Sequence, residues 1–149
     1  MGAFMQVLMP KYDCLRYDMI HNVVEIASYN YAGSHIRVFR GQVEGLNTIF
    51  LEPDNGMFWV GCVYGRNDDA HRFNFFCGAA LEYLKHHAPH KTDVVHCHDW
   101  PTAPVAFGNV GDSRCGSLLP ATCCTSTQPC PATCLWLALQ RVYYVHWSL

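Results

Sequence analysis

The chain has 149 residues, a length that suits one domain with a single hydrophobic core, and a formal net charge of −2 at pH 7. Its 10 lysines and arginines form no cluster, which removes the electrostatic basis for nucleic acid or an anionic membrane surface as a partner. Because no apolar run approaches the roughly 20 residues of a membrane-spanning helix, and the N-terminal residues do not match a signal peptide, we expect a soluble protein.

The first predicted elements are strands. Val7–Met9 is a short apolar run closed by a proline, which indicates a strand. His35–Phe39 and Thr48–Leu51 indicate two further strands around a bend, because both are rich in β-forming residues and glycines separate them. Gly56–Arg66 mixes aromatic residues with glycines in neither the helical nor the strand period, a pattern typical of a loop with aromatic anchors.

The clearest predicted element is a helix over Arg72–His87. Asn67–Asp69 supply candidate caps and acidic charge for its N-terminus, and Pro89 limits its length. Its apolar residues recur at helical spacing: Phe73, Phe76, Cys77, Ala80, Leu81 and Leu84.

A buried parallel strand is predicted over Asp93–His96, where an apolar run turns polar at its carboxyl end. Strands on both sides of a long amphipathic helix predict an α/β fold, and residues 1–110 are expected to form an incomplete Rossmann-like layer.

The composition changes near Gly111. Beyond it charged residues are scarce, and Ser, Thr, Pro and Cys recur without a period until Leu135. We therefore predict an irregular C-terminal tail over residues 111–149, with little regular structure in Gly111–Cys134 and either a helix or a strand in Leu135–Leu149.

The chain has 9 cysteines, below the density of a disulfide scaffold. Those of the tail include a conceivable zinc set, Cys115, Cys123, Cys130 and Cys134, but the spacing lacks paired Cys-x-x-Cys knuckles and we predict no bound zinc. The cysteines outside the tail stand singly in apolar or semi-apolar runs and are expected to be buried free thiols: Cys14, Cys62, Cys77 and Cys97.

The candidate site follows the predicted buried strand. His96 and His98 share one face of a strand because side chains alternate, and with Asp99 they can donate, accept and carry charge. The carboxyl ends of parallel strands are where α/β sheets place ligand-binding groups. Two other interpretations stay open: a core His96 with Asp99 capping the next helix, or a His-x-His metal site of a hydrolase with Asp99 as third ligand.

A family resemblance rests on several motifs in order. Asp93–Trp100 resembles the H-x-H-D-W signature of bacterial glycogen synthases and plant starch synthases. The sequence of the predicted helix is similar to the corresponding segment of class III soluble starch synthases of plants and green algae. The other matching segments are Met9–Leu15 (P-K-Y-D-C), Val43–Leu46 (V-E-G-L), Phe50–Pro53, Asn55–Trp59, Gly61–Asp68 and Arg72–Glu82.

The resemblance implies a GT-B glycosyltransferase of two Rossmann-like domains, with this chain an incomplete N-terminal, acceptor-side half. Such starch synthases transfer glucose from ADP-glucose to the non-reducing end of an α-1,4-glucan in starch biosynthesis, with retention at the anomeric carbon. ADP-glucose is the donor substrate and no cofactor is implied. The implied partners are ADP-glucose and α-1,4-glucan (starch, amylopectin chains), and the implied location is the plastid, either chloroplast or amyloplast.

The functional residues that the resemblance implies are matched to this sequence one position at a time. Asp99 matches an aspartate that faces the bound sugar, where a carboxylate can orient hydroxyls and favour positive charge at the anomeric carbon. Tyr64 matches an aromatic residue near the acceptor, although a core or interface tyrosine is an equal interpretation. His96, His98 and Trp100 belong to the same motif and are expected to position substrate. No metal-binding residue is implied.

The chain also departs from the family pattern. It does not contain the K-x-G-G-L loop that holds the ADP-glucose phosphates, the T-I-H-N segment or the second domain. The tail resembles no part of the family, and a gene-model artefact is its leading interpretation. We expect the fragment to be inactive alone. The alternative functions are a non-catalytic glucan-binding module that uses Tyr64, Trp59 and Trp100 as sugar platforms, and the metal-dependent hydrolase built on His96 and His98.

Overall fold

Seven strands form one mixed sheet in the computed structural model, which describes residues 4–63, 65–90, 92, 94–105, 122–125 and 141–145. The order across the sheet is β2-β3-β4-β1-β7-β5-β6. Strands β1, β4, β5, β6 and β7 are parallel, whereas β3 pairs antiparallel with both β2 and β4. The strands are β1 (Phe4–Pro10), β2 (Ile20–Tyr31), β3 (Ser34–Val43), β4 (Leu46–Pro53), β5 (Val94–His98), β6 (Thr122–Thr125) and β7 (Arg141–Val145).

The predicted buried strand is confirmed. In β5, Val95 and Cys97 are fully buried, and the strand pairs in parallel with β7 on one side and β6 on the other. A parallel strand covered on both faces needs such a continuous apolar run. The other predicted strands are also present, as the central parts of β1, β3 and β4.

The predicted helix is confirmed as well, with an earlier start. Helix α1 runs over Asp69–Glu82 and continues as a π-helical turn, Tyr83–His87, that ends before Pro89. The buried residues of α1 include Phe73, Phe76, Cys77 and Ala80. Contact with β2 is close: the Tyr29 hydroxyl donates to the Ala79 carbonyl at 2.7 Å. A short helix, α2 (Asp99–Thr102), follows β5 directly.

Strand β2 was not predicted. It forms the outer edge of the sheet, and its burial does not alternate, because Val23, Val24 and Ile26 are all exposed. Irregular pairing with β3 and a positive φ of 55° at Asn22 break the strand period further.

Two strands, β6 and β7, come from residues 111–149, the segment with the distinct composition. Thr122–Thr125 forms β6 within the stretch expected to have little regular structure, and Arg141–Val145 forms β7, the strand alternative for the apolar end. The remainder of residues 111–149 lies outside the described residues, as do Cys115, Cys130 and Cys134 of the conceivable zinc set. The interpretation of this segment as an unrelated tail stays a prediction.

The expectation of four buried thiols is half right. Cys77 and Cys97 are buried, but Cys14 is exposed and Cys62 is partly exposed. The last two lie in loops, where a single apolar neighbour does not ensure burial. Among the helices of the described residues, none is long and apolar enough to cross a membrane.

Candidate functional site

The candidate site lies at the carboxyl edge of the parallel strands. Since β1, β4 and β5 run in the same direction, the segments that leave them begin at one edge of the sheet. These segments are the P-K-Y-D-C loop after β1, the β4–α1 loop over residues 54–68, and the start of α2 after β5. Ligands of α/β sheets bind at such an edge.

The two imidazoles of the H-x-H-D-W motif lie together, as alternation along the strand predicted. The rings of His96 and His98 stack with centroids 4.6 Å apart and planes 24° apart, and both side chains are partly buried. Burial lowers the pKa of both residues, and the neighbouring His98 lowers that of His96 further. Near neutral pH the pair is therefore uncharged, and it can donate and accept hydrogen bonds to sugar hydroxyls.

The turn from β5 into α2 is held by hydrogen bonds to the backbone. Thr102 Oγ1 donates to the His98 carbonyl at 2.7 Å, and Cys77 Sγ donates to the Pro101 carbonyl at 3.2 Å. Burial raises the pKa of Cys77 to about 12, so its thiol keeps the proton that it donates. Helix α1 thus supports the turn that carries Asp99.

Three predicted site residues lie partly or wholly outside the described residues. Tyr64 is outside them altogether, and so are the side chains of Asp99 and Trp100; the backbone of these two forms the first half of α2. Within the part of the chain that the structure describes, no group of three His, Cys, Asp or Glu side chains could hold a metal ion. The hydrolase alternative therefore gains no ligand set from these residues.

A buried arginine, which the sequence did not predict, organises the β4–α1 loop. Arg72 is fully buried, and its guanidinium donates to the Met57 carbonyl at 3.1 Å, the Val63 carbonyl at 2.5 Å and Asp69 Oδ1 at 2.8 Å. The sequence does contain a signal for this ion pair, because Asp69 and Arg72 stand at positions i and i+3 where the helix begins. The predicted caps act differently: Asp68 occupies the N-cap position without a side-chain capping bond.

The same loop is tied to the segment after β1. Asp13 accepts from the Gly61 amide at 3.0 Å with both carboxylate oxygens, and Phe58 is buried with its ring edge against Tyr12 at 5.5 Å between centroids. Trp59, between these two anchors, is 56% exposed. The loop therefore has the predicted aromatic anchor, and it presents one indole to solvent.

A second charged cluster lies where β1 and β4 end. Glu52, which is buried, accepts from Lys11 Nζ at 2.5 Å and from Arg37 Nη2 at 2.7 Å. The Lys11 ammonium also lies 4.2 Å from the centroid of the Phe39 ring. This cluster joins the P-K-Y-D-C loop to the sheet.

Comparisons with known proteins identify the family of the chain. Residues 1–117 match the family model described as the starch synthase catalytic domain. Starch synthase 3 (chloroplastic/amyloplastic) of Arabidopsis thaliana is 48% identical over 101 residues, which are 68% of this chain and 10% of that protein. Glycogen synthase 1 of Nitrosococcus oceani is 38% identical over 109 residues, 70% of this chain and 22% of that protein. The chain thus spans a minor part of the relatives that it matches.

A solved structure is similar in fold. The catalytic domain of starch synthase IV from Arabidopsis thaliana, bound to ADP and acarbose, superimposes with a TM-score of 0.73 at 34% sequence identity. The match covers 83% of this chain and 26% of that one. The α/β sheet described above is therefore part of a GT-B glycosyltransferase fold. By sequence and by fold, this chain belongs to the family of starch synthase catalytic domains.

Proposed function

We propose that this chain is the acceptor-side part of a starch synthase, which transfers glucose from ADP-glucose to the non-reducing end of an α-1,4-glucan. The observation that carries the proposal is the H-x-H-D-W motif at the carboxyl end of a buried parallel strand, with its two neutral imidazoles stacked on one face. Residues so placed suit a neutral, hydroxyl-rich ligand, because they offer hydrogen bonds without fixed charge.

Within this proposal Asp99 acts on the sugar. Its carboxylate orients hydroxyls of the bound glucose and favours the positive charge that develops at the anomeric carbon in the transition state. His96 and His98 position the substrate, and Tyr64 and Trp100 offer aromatic faces to sugar rings. The support is the place of the motif in the fold, directly after β5 and at the start of α2.

The donor and the compartment belong to the same proposal. The solved relative is bound to ADP and acarbose, and two relatives at 48% identity are named as chloroplastic/amyloplastic starch synthases. We infer ADP-glucose as donor and the plastid as location. Because the chain spans 26% of the solved catalytic domain, we also infer that the 149-residue chain alone transfers no glucose.

A hybrid enzyme tests the function directly. Residues 1–110 replace the matching segment of the Arabidopsis starch synthase IV catalytic domain, and incorporation of labelled glucose from ADP-glucose into a glucan primer is measured. We expect the hybrid to be active, and Asp99→Asn to lower turnover by about 10²-fold or more while ADP binding changes little. Asp18→Asn, at an exposed position, is the control.

Two results would contradict the proposal. One is a folded hybrid without transfer, and the other is an Asp99→Asn hybrid with normal turnover. The inactivity of the 149-residue chain is a separate claim, which labelled glucose incorporated by that chain alone would overturn.

A non-catalytic glucan-binding module is the second candidate, and the exposure of Trp59 favours it. An indole that is 56% exposed beside a buried phenylalanine is a flat platform of the kind that sugar rings stack on. This candidate predicts retention of the 149-residue chain on immobilised glucan, loss of retention in Trp59→Ala, and no contribution of Asp99 to transfer in the hybrid.

A further inference from the structure

The buried Arg72 is held by one carboxylate and two loop carbonyls. A fully buried guanidinium requires a charge partner and acceptors for its N–H groups. Asp69 supplies the charge at 2.8 Å, and the carbonyls of Met57 and Val63 accept two further hydrogen bonds at 3.1 Å and 2.5 Å. The arginine therefore binds α1 to both ends of the loop segment 57–63.

Asp69 extends this hold to the next part of the loop. Its second oxygen, Oδ2, accepts from the Gly65 amide at 2.6 Å and from the Arg66 amide at 3.0 Å. Burial opposes ionisation of Asp69, but these two amides and the Arg72 guanidinium keep its pKa below the usual range. The carboxylate is therefore charged, and hydrogen bonds to a charged acceptor are about twice as strong as neutral ones.

One ion pair thus fixes the backbone at Val63 and at Gly65. The carbonyl of Val63 is bonded to Arg72, and the amide of Gly65 is bonded to Asp69. An open depression of about 340 Å³ lies against the same stretch, lined by Gly65, Arg66, Asn67 and Asp68. The backbone that the pair orders is therefore also backbone that a ligand can reach.

We propose that the Arg72–Asp69 ion pair is a positioning element of the glucan-binding site, because it sets the backbone of the loop that carries the exposed Trp59 and borders the depression. The proposal rests on the proposed function, in which this chain binds the α-1,4-glucan acceptor. Neither residue touches the reacting atoms in this account. They act by ordering the loop before an α-1,4-glucan binds, which reduces the entropy that binding would otherwise cost.

A purely structural role is the competing account, in which the pair stabilises the first turn of α1 and has no effect on glucan. The two accounts differ in what happens when the pair is removed from a chain that still folds. Removal of Asp69 frees two amides of the loop, whereas removal of Asp18 frees none of them, because its carboxylate pairs with the exposed Arg16 side chain at 3.2 Å. Asp18→Ala is therefore a control that makes the same substitution at an ion pair outside the loop and the depression.

The experiment uses the complete 149-residue chain, unaltered and as Asp69→Ala, Arg72→Lys and Asp18→Ala. Hydrogen exchange of the loop amides 57–68 is measured by mass spectrometry, and binding of maltoheptaose by titration. Exchange of the β3 and β4 amides reports whether each variant is folded. Arg72→Lys keeps the charge but lacks the planar fork that reaches several acceptors, and it serves if Asp69→Ala does not fold.

We expect Asp69→Ala to speed exchange at Gly65 and Arg66 by about 10-fold or more and to weaken maltoheptaose binding by a similar factor. Arg72→Lys should change both in the same direction, and Asp18→Ala should leave both within about two-fold. Faster loop exchange with unchanged maltoheptaose affinity, or unchanged exchange, would overturn the proposal. An unaltered chain that binds no maltoheptaose would overturn the proposed acceptor site first, and this inference with it.

Discussion

Removal of the charge at Glu52 should destabilise the protein substantially. The Glu52 side chain is 8% exposed and accepts from two cations, Lys11 and Arg37, with one oxygen for each. In Glu52→Gln the amide offers an acceptor to only one of them and presents a donor to the other. The change in volume is negligible, so the effect on stability reports the charge and its hydrogen bonds.

The magnitude follows from the exposure of the two partners. Lys11 is 15% exposed, and a hydrogen bond between charged groups at such a site contributes about 1.5–3 kcal/mol. Arg37 is 48% exposed, so solvent screening limits its contribution to about 1 kcal/mol or less. A neutral hydrogen bond that glutamine retains returns about 1 kcal/mol. We expect a loss of about 1.5–3 kcal/mol from a total of roughly 5–15 kcal/mol.

Urea unfolding of the 149-residue chain measures this loss, at low salt and in 1 M NaCl. A pair this well buried is weakly screened, so most of the loss should remain in high salt. The control is Asp18→Asn, which breaks the exposed Arg16–Asp18 pair, with side chains 78% and 65% exposed, and should cost about 0.5 kcal/mol or less. A Glu52→Gln loss below 1 kcal/mol, or one that disappears with salt, would refute the reasoning.

Two further predictions concern titration and reactivity. The folded-state pKa values of His96 and His98 lie below the unfolded value of 6.5, so the unfolded chain binds more protons in the pH range between the folded and unfolded values. The contribution of the two histidines to stability is therefore lost as pH falls through that range. The pH dependence of urea unfolding just below pH 6.5 should flatten when both are changed to glutamine; an unchanged slope would contradict the lowered pKa. In the native chain, Cys14 should react with iodoacetamide at neutral pH while the buried Cys77 stays unmodified until unfolding, and equal labelling of their peptides would contradict the assigned burial.

The local sequence pattern was sufficient to predict the elements that are buried on one face or on both faces. The helix over α1 and the buried strand β5 follow from periodicity and composition, because burial on a face or on both faces selects apolar residues at fixed spacing. The stacking of His96 and His98 also follows from alternation along one strand. Edge strand β2 could not be predicted this way, because solvent tolerates either kind of residue there and irregular pairing with β3 breaks its period.

The sequence by itself determined the family, the α/β class and the motif at the end of β5, since each depends on residues close together in the chain. Only the tertiary structure decided which distant groups meet. The Arg72 guanidinium reaches Met57 and Val63, and Glu52 gathers Lys11 and Arg37, through contacts up to 41 residues apart. The physical reason is that a buried charge must find its partners wherever the packing of the sheet and the helix brings them, and the spacing of residues along the chain does not record that packing.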